Sequence, residues 1–213
     1  MGPVKSISGE SIELSGAVHI IDDDDSVRRA LSRLLKAWSH HEVRDYPTAE
    51  AFLAQCRIDV PGCLLVDLKM PSQSGLDVLE MLERRGSPFS VIVITGRGEI
   101  QDSVRAMKIG AVDFLTKPLD QQQILGAVEI GLNLSRERYR RKIDRANLSE
   151  RFDRLTPRER EVCDLVALGL PNKQIALRIG AAEKTVKIHR GRVMSKLQVS
   201  SVAELVRFVD RLR

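Results

Sequence analysis

Asp22 and Asp23 directly follow the apolar run 18–21, Asp67 ends the run 63–67, Thr95 ends 91–95, and Lys117 follows 113–116. If these short runs are parallel strands, their C-terminal ends share one edge, where a crevice for ligands forms. Positions far apart in sequence then make one site with three carboxylates, a hydroxyl and an ammonium. Three carboxylates in close proximity repel one another and do not stay ionised without compensation. A hard divalent cation supplies it, and Mg²⁺ suits a site of few carboxylates that keeps several waters. With Asp22 and Asp23 as metal anchors, Asp67 is left as a nucleophile toward a phosphoryl group. The metal and Lys117 neutralise charge on the transferring oxygens while Thr95 hydrogen-bonds one of them. The product is an acyl phosphate on Asp67.

The elements that hold these residues alternate. Strand-like runs at 18–21, 41–45, 63–67, 91–95 and 113–116 are separated by helical patterns near 25–38, 47–56, 74–84, 99–109 and from 120 onward. Five βα units in a row call for a doubly wound parallel sheet with helices on both faces. The central runs are apolar without alternation, as strands buried on both sides are. Gly62 and Gly110 fall where helix-to-strand turns belong. Asp24 and Asp25 read as a helix N-cap and a first-turn acid rather than as further ligands. The fifth helix runs without proline to about residue 147, with a thin apolar seam of Val128, Leu132, Tyr139 and Ile143. Two readings of its second half stay open: a solvated extension, or an inter-domain helix that also pairs with a second subunit.

The 213 residues leave room for one large domain or two small ones, and 43% hydrophobic with 30% charged residues describes an ordinary soluble chain with a core. The longest apolar runs are far too short to span a bilayer, and no signal segment opens the chain. Residues 1–16 read as a mobile tail. Cys56, Cys63 and Cys163 follow no metal spacing, and Cys63 and Cys163 read as core residues. With no signal segment, these cysteines imply a reducing cytoplasm. The net charge of +5 is uneven: residues 151–213 carry 14 Lys/Arg against 7 Asp/Glu, and residues 1–150 carry 20 against 22. A nucleic-acid partner is therefore expected for the C-terminal third.

That third is helical throughout. Thr156-Pro157-Arg158-Glu159 is a helix start with Thr as N-cap and Pro at the first helical position. Gly169 closes this helix, and three more are expected near 172–179, 183–197 and 201–211. In 172–191, Ala176 provides the small side chain of a tight helix crossing, Gly180 the left-handed turn, and Ile175 and Val186 the apolar contact. This is a helix-turn-helix pattern whose second helix enters the major groove. Lys184, Thr185, Lys187 and Ile188 are the candidates nearest the bases. Arg190, Arg192 and Lys196 further along, with Lys173 on the preceding helix, are candidate DNA contacts of the phosphate type. His189 reads equally as a DNA contact or a packing residue. Ala181-Ala182 leaves the recognition helix without a side-chain N-cap, which costs about 1 kcal/mol.

The stretches His19–Asp23, Val66-Asp67-Leu68-Lys69-Met70-Pro71, Ile94-Thr95-Gly96 and Lys117-Pro118 resemble the receiver domains of two-component response regulators over about 17–135. The segment from Leu155 to Leu197 resembles the LuxR-type output domain, and together they resemble the NarL/FixJ subfamily. The spelling of 185–194 favours its FixJ-like branch. The resemblance implies a flavodoxin-like α/β receiver of strand order 2-1-3-4-5 (17–135), a linker helix (136–150) and a four-helix, all-α DNA-binding domain (151–213). It implies phosphotransfer from a sensor histidine kinase to Asp67, and Mg²⁺ held by Asp22, Asp23, Asp67 and the backbone carbonyl of Lys69. It also implies a cis Lys117-Pro118 bond, a switch pair of Thr95 and Phe114, a phosphorylation-promoted homodimer on double-stranded DNA, and RNA polymerase as a further partner.

Two rival functions compete with this one. An aspartyl-phosphate phosphotransfer enzyme needs an acid two residues after the nucleophile, and this chain has Lys69 there. The expectation is therefore a non-enzyme with slow self-dephosphorylation. A constitutive DNA-binding protein with a scaffold receiver has no need of Asp22, Asp23, Asp67, Thr95 and Lys117 together.

Overall fold

The computed structural model describes residues 16–38, 41–71, 73–96 and 100–212, and the chain divides between Tyr139 and Arg140 into two compact units. The expected tail over 1–16 lies outside the described residues except for Gly16.

The first unit alternates β1 (Ala17–Ile21), α1 (Asp25–Trp38), β2 (Val43–Tyr46), α2 (Ala49–Gln55), β3 (Gly62–Asp67), α3 (Gly75–Arg84), β4 (Ser90–Thr95), α4 (Ile100–Ile109) and β5 (Asp113–Thr116). All strand pairs are parallel, in the order β2-β1-β3-β4-β5. β3 and β4 are buried along their whole length, which explains their unbroken apolar spelling. Alternate side chains serve opposite faces. Leu64, Val66, Val91 and Val93 join Phe52, Leu79 and Leu82 in one layer. Cys63, Leu65, Ile92 and Ile94 join Leu31, Leu35, Val128 and Leu132 in the other.

Three local expectations are corrected. β2 spans Val43–Tyr46 instead of 41–45, because Val43 begins the pairing with Val18 and Tyr46 packs inward at its end. Gly62 is the first residue of β3, not part of a turn: the Phe89 ring lies where its Cβ would be, so only hydrogen fits. The helix after β5, α5, spans Gln121–Asp153, three residues past the expected end of the linker helix at 150. At 33 residues it is about 50 Å long. Ile124, Ala127, Val128, Gly131, Leu132 and Ser135 face the sheet. The Ser135 hydroxyl accepts from the Gly62 amide at 2.9 Å, and Arg138 donates to the Phe89 carbonyl at 3.0 Å. Of the expected seam, Val128 and Leu132 are core residues, whereas Ile143 is 43% exposed.

The second unit packs α6 (Pro157–Ala167), α7 (Asn172–Ile179), α8 (Glu183–Leu197) and α9 (Val202–Leu212) around Val162, Cys163, Ile175, Val186, Val193, Leu197 and Leu205, with Leu148 and Phe152 of α5 against them. Thr156 and Glu159 form a reciprocal capping box at the start of α6. Glu159 is buried and also accepts from the Lys196 ammonium at 2.6 Å. That hydrogen bond holds its carboxyl below the usual range. Gly180 supplies the left-handed turn between α7 and α8 at φ 64°. Cys63 and Cys163 are fully buried, and burial pushes the Cys63 thiol up to about 12.

His19, in the middle of β1, is 4% exposed and enclosed by Tyr46, Phe52 and Phe89 at 5.2–5.8 Å between ring centroids. Burial, reinforced by Arg44, lowers its pKa from 6.5 to about 4. The unfolded chain therefore takes up this proton first as pH falls. The stability of the neutral ring is complete above about 6.5, is lost toward 4, and levels off once the folded protein is protonated too. Urea unfolding of the wild type and His19→Leu at pH 7 and pH 4 is expected to differ in pH dependence by about 3 kcal/mol. Equal pH dependence in the two proteins rules this out. Gly131→Ala sets a methyl 2.8 Å from the Cys63 sulfur. A thermal melt is expected to show a loss of about 1–3 kcal/mol.

Candidate functional site

The C-terminal edge of the sheet gathers the residues expected there. Asp22 follows β1, Asp67 closes β3, Thr95 closes β4 and Lys117 follows β5. Carboxylate oxygens of Asp22, Asp23 and Asp67 lie within 4.8 Å of one another. The Lys117 ammonium bridges Asp22 at 3.1 Å and Asp67 at 2.9 Å. Asp22 is fully buried, and that burial raises its pKa against the pull of the Asp24 amide and of Lys117. Burial works to lower the Lys117 pKa, but hydrogen bonds to Asp67 and Asp22 outweigh it and leave the ammonium raised. The Lys117-Pro118 bond is cis.

Thr95 is 1% exposed and its hydroxyl lies 3.3 Å from the Gly96 carbonyl. Phe114 on β5 pairs in register with Val93 and is 42% exposed. Lys69 sits two residues beyond Asp67, its side chain exposed and its amide 3.5 Å from the Asp67 carboxylate. Asp24 serves as the expected N-cap, accepting from the Ser26 amide at 2.8 Å.

Two residues here were not singled out from sequence. Gly75 opens α3 where a Cβ would stand 2.5 Å from the Asp67 carbonyl oxygen, so that helix closes onto the acidic edge only with glycine. Its signal was the Ser74-Gly75-Leu76-Asp77 helix start. Arg28 on α1 donates to the backbone carbonyls of Asp22 at 2.8 Å and Asp23 at 3.1 Å. Its signal was the first of two adjacent arginines, three residues after an acidic run.

The donor set suits a hard cation. Among the described residues, this acidic trio is the one group of three or more potential ligands that converges, and all its donors are oxygens. Histidine and cysteine, which zinc favours, are absent from the trio. A positive group is already drawn into the cluster in the form of Lys117, so the site both attracts and partly satisfies a cationic partner.

In the second unit, Val186, Val193 and Leu197 turn one side of α8 inward. Lys184, Thr185, Lys187, Ile188 and Arg192 are exposed, with Ile188 at 49%. Lys173 is exposed on α7. Arg190 and Lys196 are placed differently from their neighbours. The Arg190 guanidinium donates to the Asn172 side chain at 2.9 Å and ties α8 to the start of α7. Lys196 is committed to Glu159 and to the Arg154 carbonyl at 3.1 Å. His189 is half-buried, and its Nδ1 has no hydrogen-bond partner. As expected, the Ala182 position provides no side-chain cap for α8.

Residues 18–129 match the response regulator receiver domain, and residues 153–209 match the bacterial regulatory proteins of the luxR family. Nodulation protein W of Bradyrhizobium diazoefficiens is 43% identical over 195 residues, covering 92% of this chain and 86% of that protein. The transcriptional regulatory protein FixJ of Azorhizobium caulinodans is 43% identical over 191 residues, covering 89% and 90%. The structure of response regulator StyR superposes with a TM-score of 0.81 at 42% identity, covering 92% of this chain and 98% of StyR. A receiver sheet with this acidic edge, followed by a LuxR-type helix-turn-helix, identifies the chain as a two-component response regulator of the FixJ-like group that regulates transcription through DNA.

Proposed function

We propose that Asp67 is the phosphoacceptor and that its phosphorylation controls DNA binding by the second unit. The observation that carries this reading is the convergence of Asp67, Asp22, Asp23 and Lys117 on one sheet edge. An Asp67 carboxylate oxygen attacks the phosphorus of a phosphohistidine on the sensor kinase. The phosphorus–nitrogen bond breaks, its electron pair returns to the imidazole, and a mixed carboxylic–phosphoric anhydride remains on Asp67. Lys117 balances the charge on the transferred oxygens, and Thr95 donates to one of them. Asp22, Asp23, Asp67 and the Lys69 backbone carbonyl are the residues that would hold Mg²⁺. When bound, the ion supplies charge neutralisation of the phosphoryl oxygens. An apolar groove of about 400 Å³ lined by Val27, Leu31, Leu34, Pro118, Leu119 and Ile124 shares Lys117 with the acidic edge, and this supports it as the seat of the kinase.

Phosphorylation draws Thr95 inward and Phe114 follows into the vacated space, which remodels α4, β5 and α5 toward a symmetric dimer. Two output units held together bind two half-sites with raised effective concentration. The proposed domain limits are 17–135 and 151–213, with 136–150 as linker helix. Lys184, Thr185, Lys187 and Ile188 lie nearest the bases, with Lys173 and Arg192 on phosphates. Arg190 is proposed to steady α8 through Asn172 while its remaining donors meet a phosphate. Lys196 is proposed as a packing cation. The protein acts in the cytoplasm, contacts RNA polymerase at its promoters, and loses its phosphate by slow hydrolysis. No described helix is long and apolar enough to cross a membrane.

With Mg²⁺ and acetyl phosphate, the wild type is expected to take up acid-labile phosphate and to shift from monomer to dimer in light scattering. Asp67→Asn is expected to do neither. Uptake by that variant would move the phosphoacceptor elsewhere, and uptake by the wild type without a size change would sink the dimer. In DNA titrations against salt, Lys187→Ala is expected to weaken binding about tenfold and flatten the salt slope by about one. Lys196→Ala is expected to lower the melting temperature and leave that slope unchanged. The reverse pattern would exchange the two roles.

A further inference from the structure

Arg28 lies on the first turn of α1, six residues after Asp22, with its side chain 11% exposed. One terminal nitrogen donates to both the Asp22 carbonyl at 2.8 Å and the Asp23 carbonyl at 3.1 Å. The other donates to the Asp25 carboxylate at 2.8 Å. The Asp25 side chain is 54% exposed, and an ion pair that wet contributes little. The two carbonyls are therefore what places the guanidinium, through charge-assisted bonds. The Nε is buried without a hydrogen bond, and the Asp45 carboxylate faces it as an ion pair at 3.9 Å. A buried donor left without a hydrogen bond is unfavourable, so the rest of the guanidinium must be strongly held. The same turn is pinned from inside as well: the Asp24 amide donates to the Asp22 carboxylate at 2.8 Å.

We propose that Arg28 is a positioning residue for the divalent cation, fixing the β1–α1 turn so that the Asp22 and Asp23 carboxylates point together toward Asp67. The proposal rests on the reading of the acidic edge as a Mg²⁺ site. It has a sign that electrostatics alone would not give. Arg28 is a positive charge beside the carboxylates, so by Coulomb's law its removal alone would tighten cation binding. If its work is geometric, removal must weaken binding instead. A lysine keeps the charge and loses the fork that reaches two carbonyls and Asp25 together.

The test is calorimetric titration of the full chain with Mg²⁺ alone, no phosphodonor present, for the wild type, Arg28→Ala, Arg28→Lys and Asp45→Asn. The expected result is a dissociation constant raised about tenfold by Arg28→Ala, as for other residues that orient metal ligands. Arg28→Lys is expected to fall between this and the wild type. Asp45→Asn spares the carbonyl contacts and is expected to stay close to the wild type. Circular dichroism in metal-free buffer shows whether each variant folds. If Arg28→Ala does not, Arg28→Lys decides. Tighter binding by Arg28→Ala with an unchanged Arg28→Lys overturns the proposal and leaves Arg28 as a charge only. Unchanged binding by both overturns it while the cation site stands. A wild type that takes up no Mg²⁺ overturns the site reading and the proposal with it.

Discussion

Like charges held together on one edge of a parallel sheet set the terms for the rest of the first unit. Parallel strands bring their C-terminal ends to a common side, so Asp22 and Asp67 meet although 45 positions separate them. Their repulsion is relieved by Lys117, delivered from the far side of the sheet by β5. Each neighbouring detail serves the same crowding. Gly75 lets α3 approach the Asp67 backbone, Asp24 caps α1 and feeds its amide to Asp22, and Arg28 closes over the outer carbonyls. The apolar layers on both faces keep the strands in the register on which this depends.

The sheet was legible because fully buried strands spell themselves as short unbroken apolar runs, and the acidic edge because each run stopped at a polar residue. Strand order and the expectation that Thr95 and Phe114 act as a switch pair came from family resemblance, since no periodicity carries them. What stayed hidden involved contacts between elements. Gly62 looked like a turn glycine, and only the Phe89 ring arriving from just before β4 shows why it has no side chain. The last turn of α5, past 150, is secured by Phe152 against the second core, a tertiary effect that a local pattern does not foretell. Arg28 acts on backbone atoms, which have no spelling at all.

The second unit was legible in outline for a similar reason: a proline, a capping box and a left-handed glycine mark its helix ends in the sequence itself. The division of labour among its basic residues was not. On a helical wheel Lys196 looks like another member of the positive surface, but the buried carboxylate of Glu159, in the first turn of α6, accepts from it. A count of Lys and Arg thus does not separate cations on the open surface from those engaged within the fold.

The same ion pair sets the mechanical character of α8. Its last turn is clamped by Lys196 to Glu159 and by Leu197 in the core, and its middle by Val193 and the Arg190–Asn172 bond. Its first turn, ahead of Val186, starts from an alanine with no side-chain cap. A rod gripped along its length and loose at its tip concentrates compliance at that tip. In α8 the tip is the segment from Glu183 to Thr185, held at its start by backbone hydrogen bonds to Ala182, while the body of the helix is fixed by its side chains.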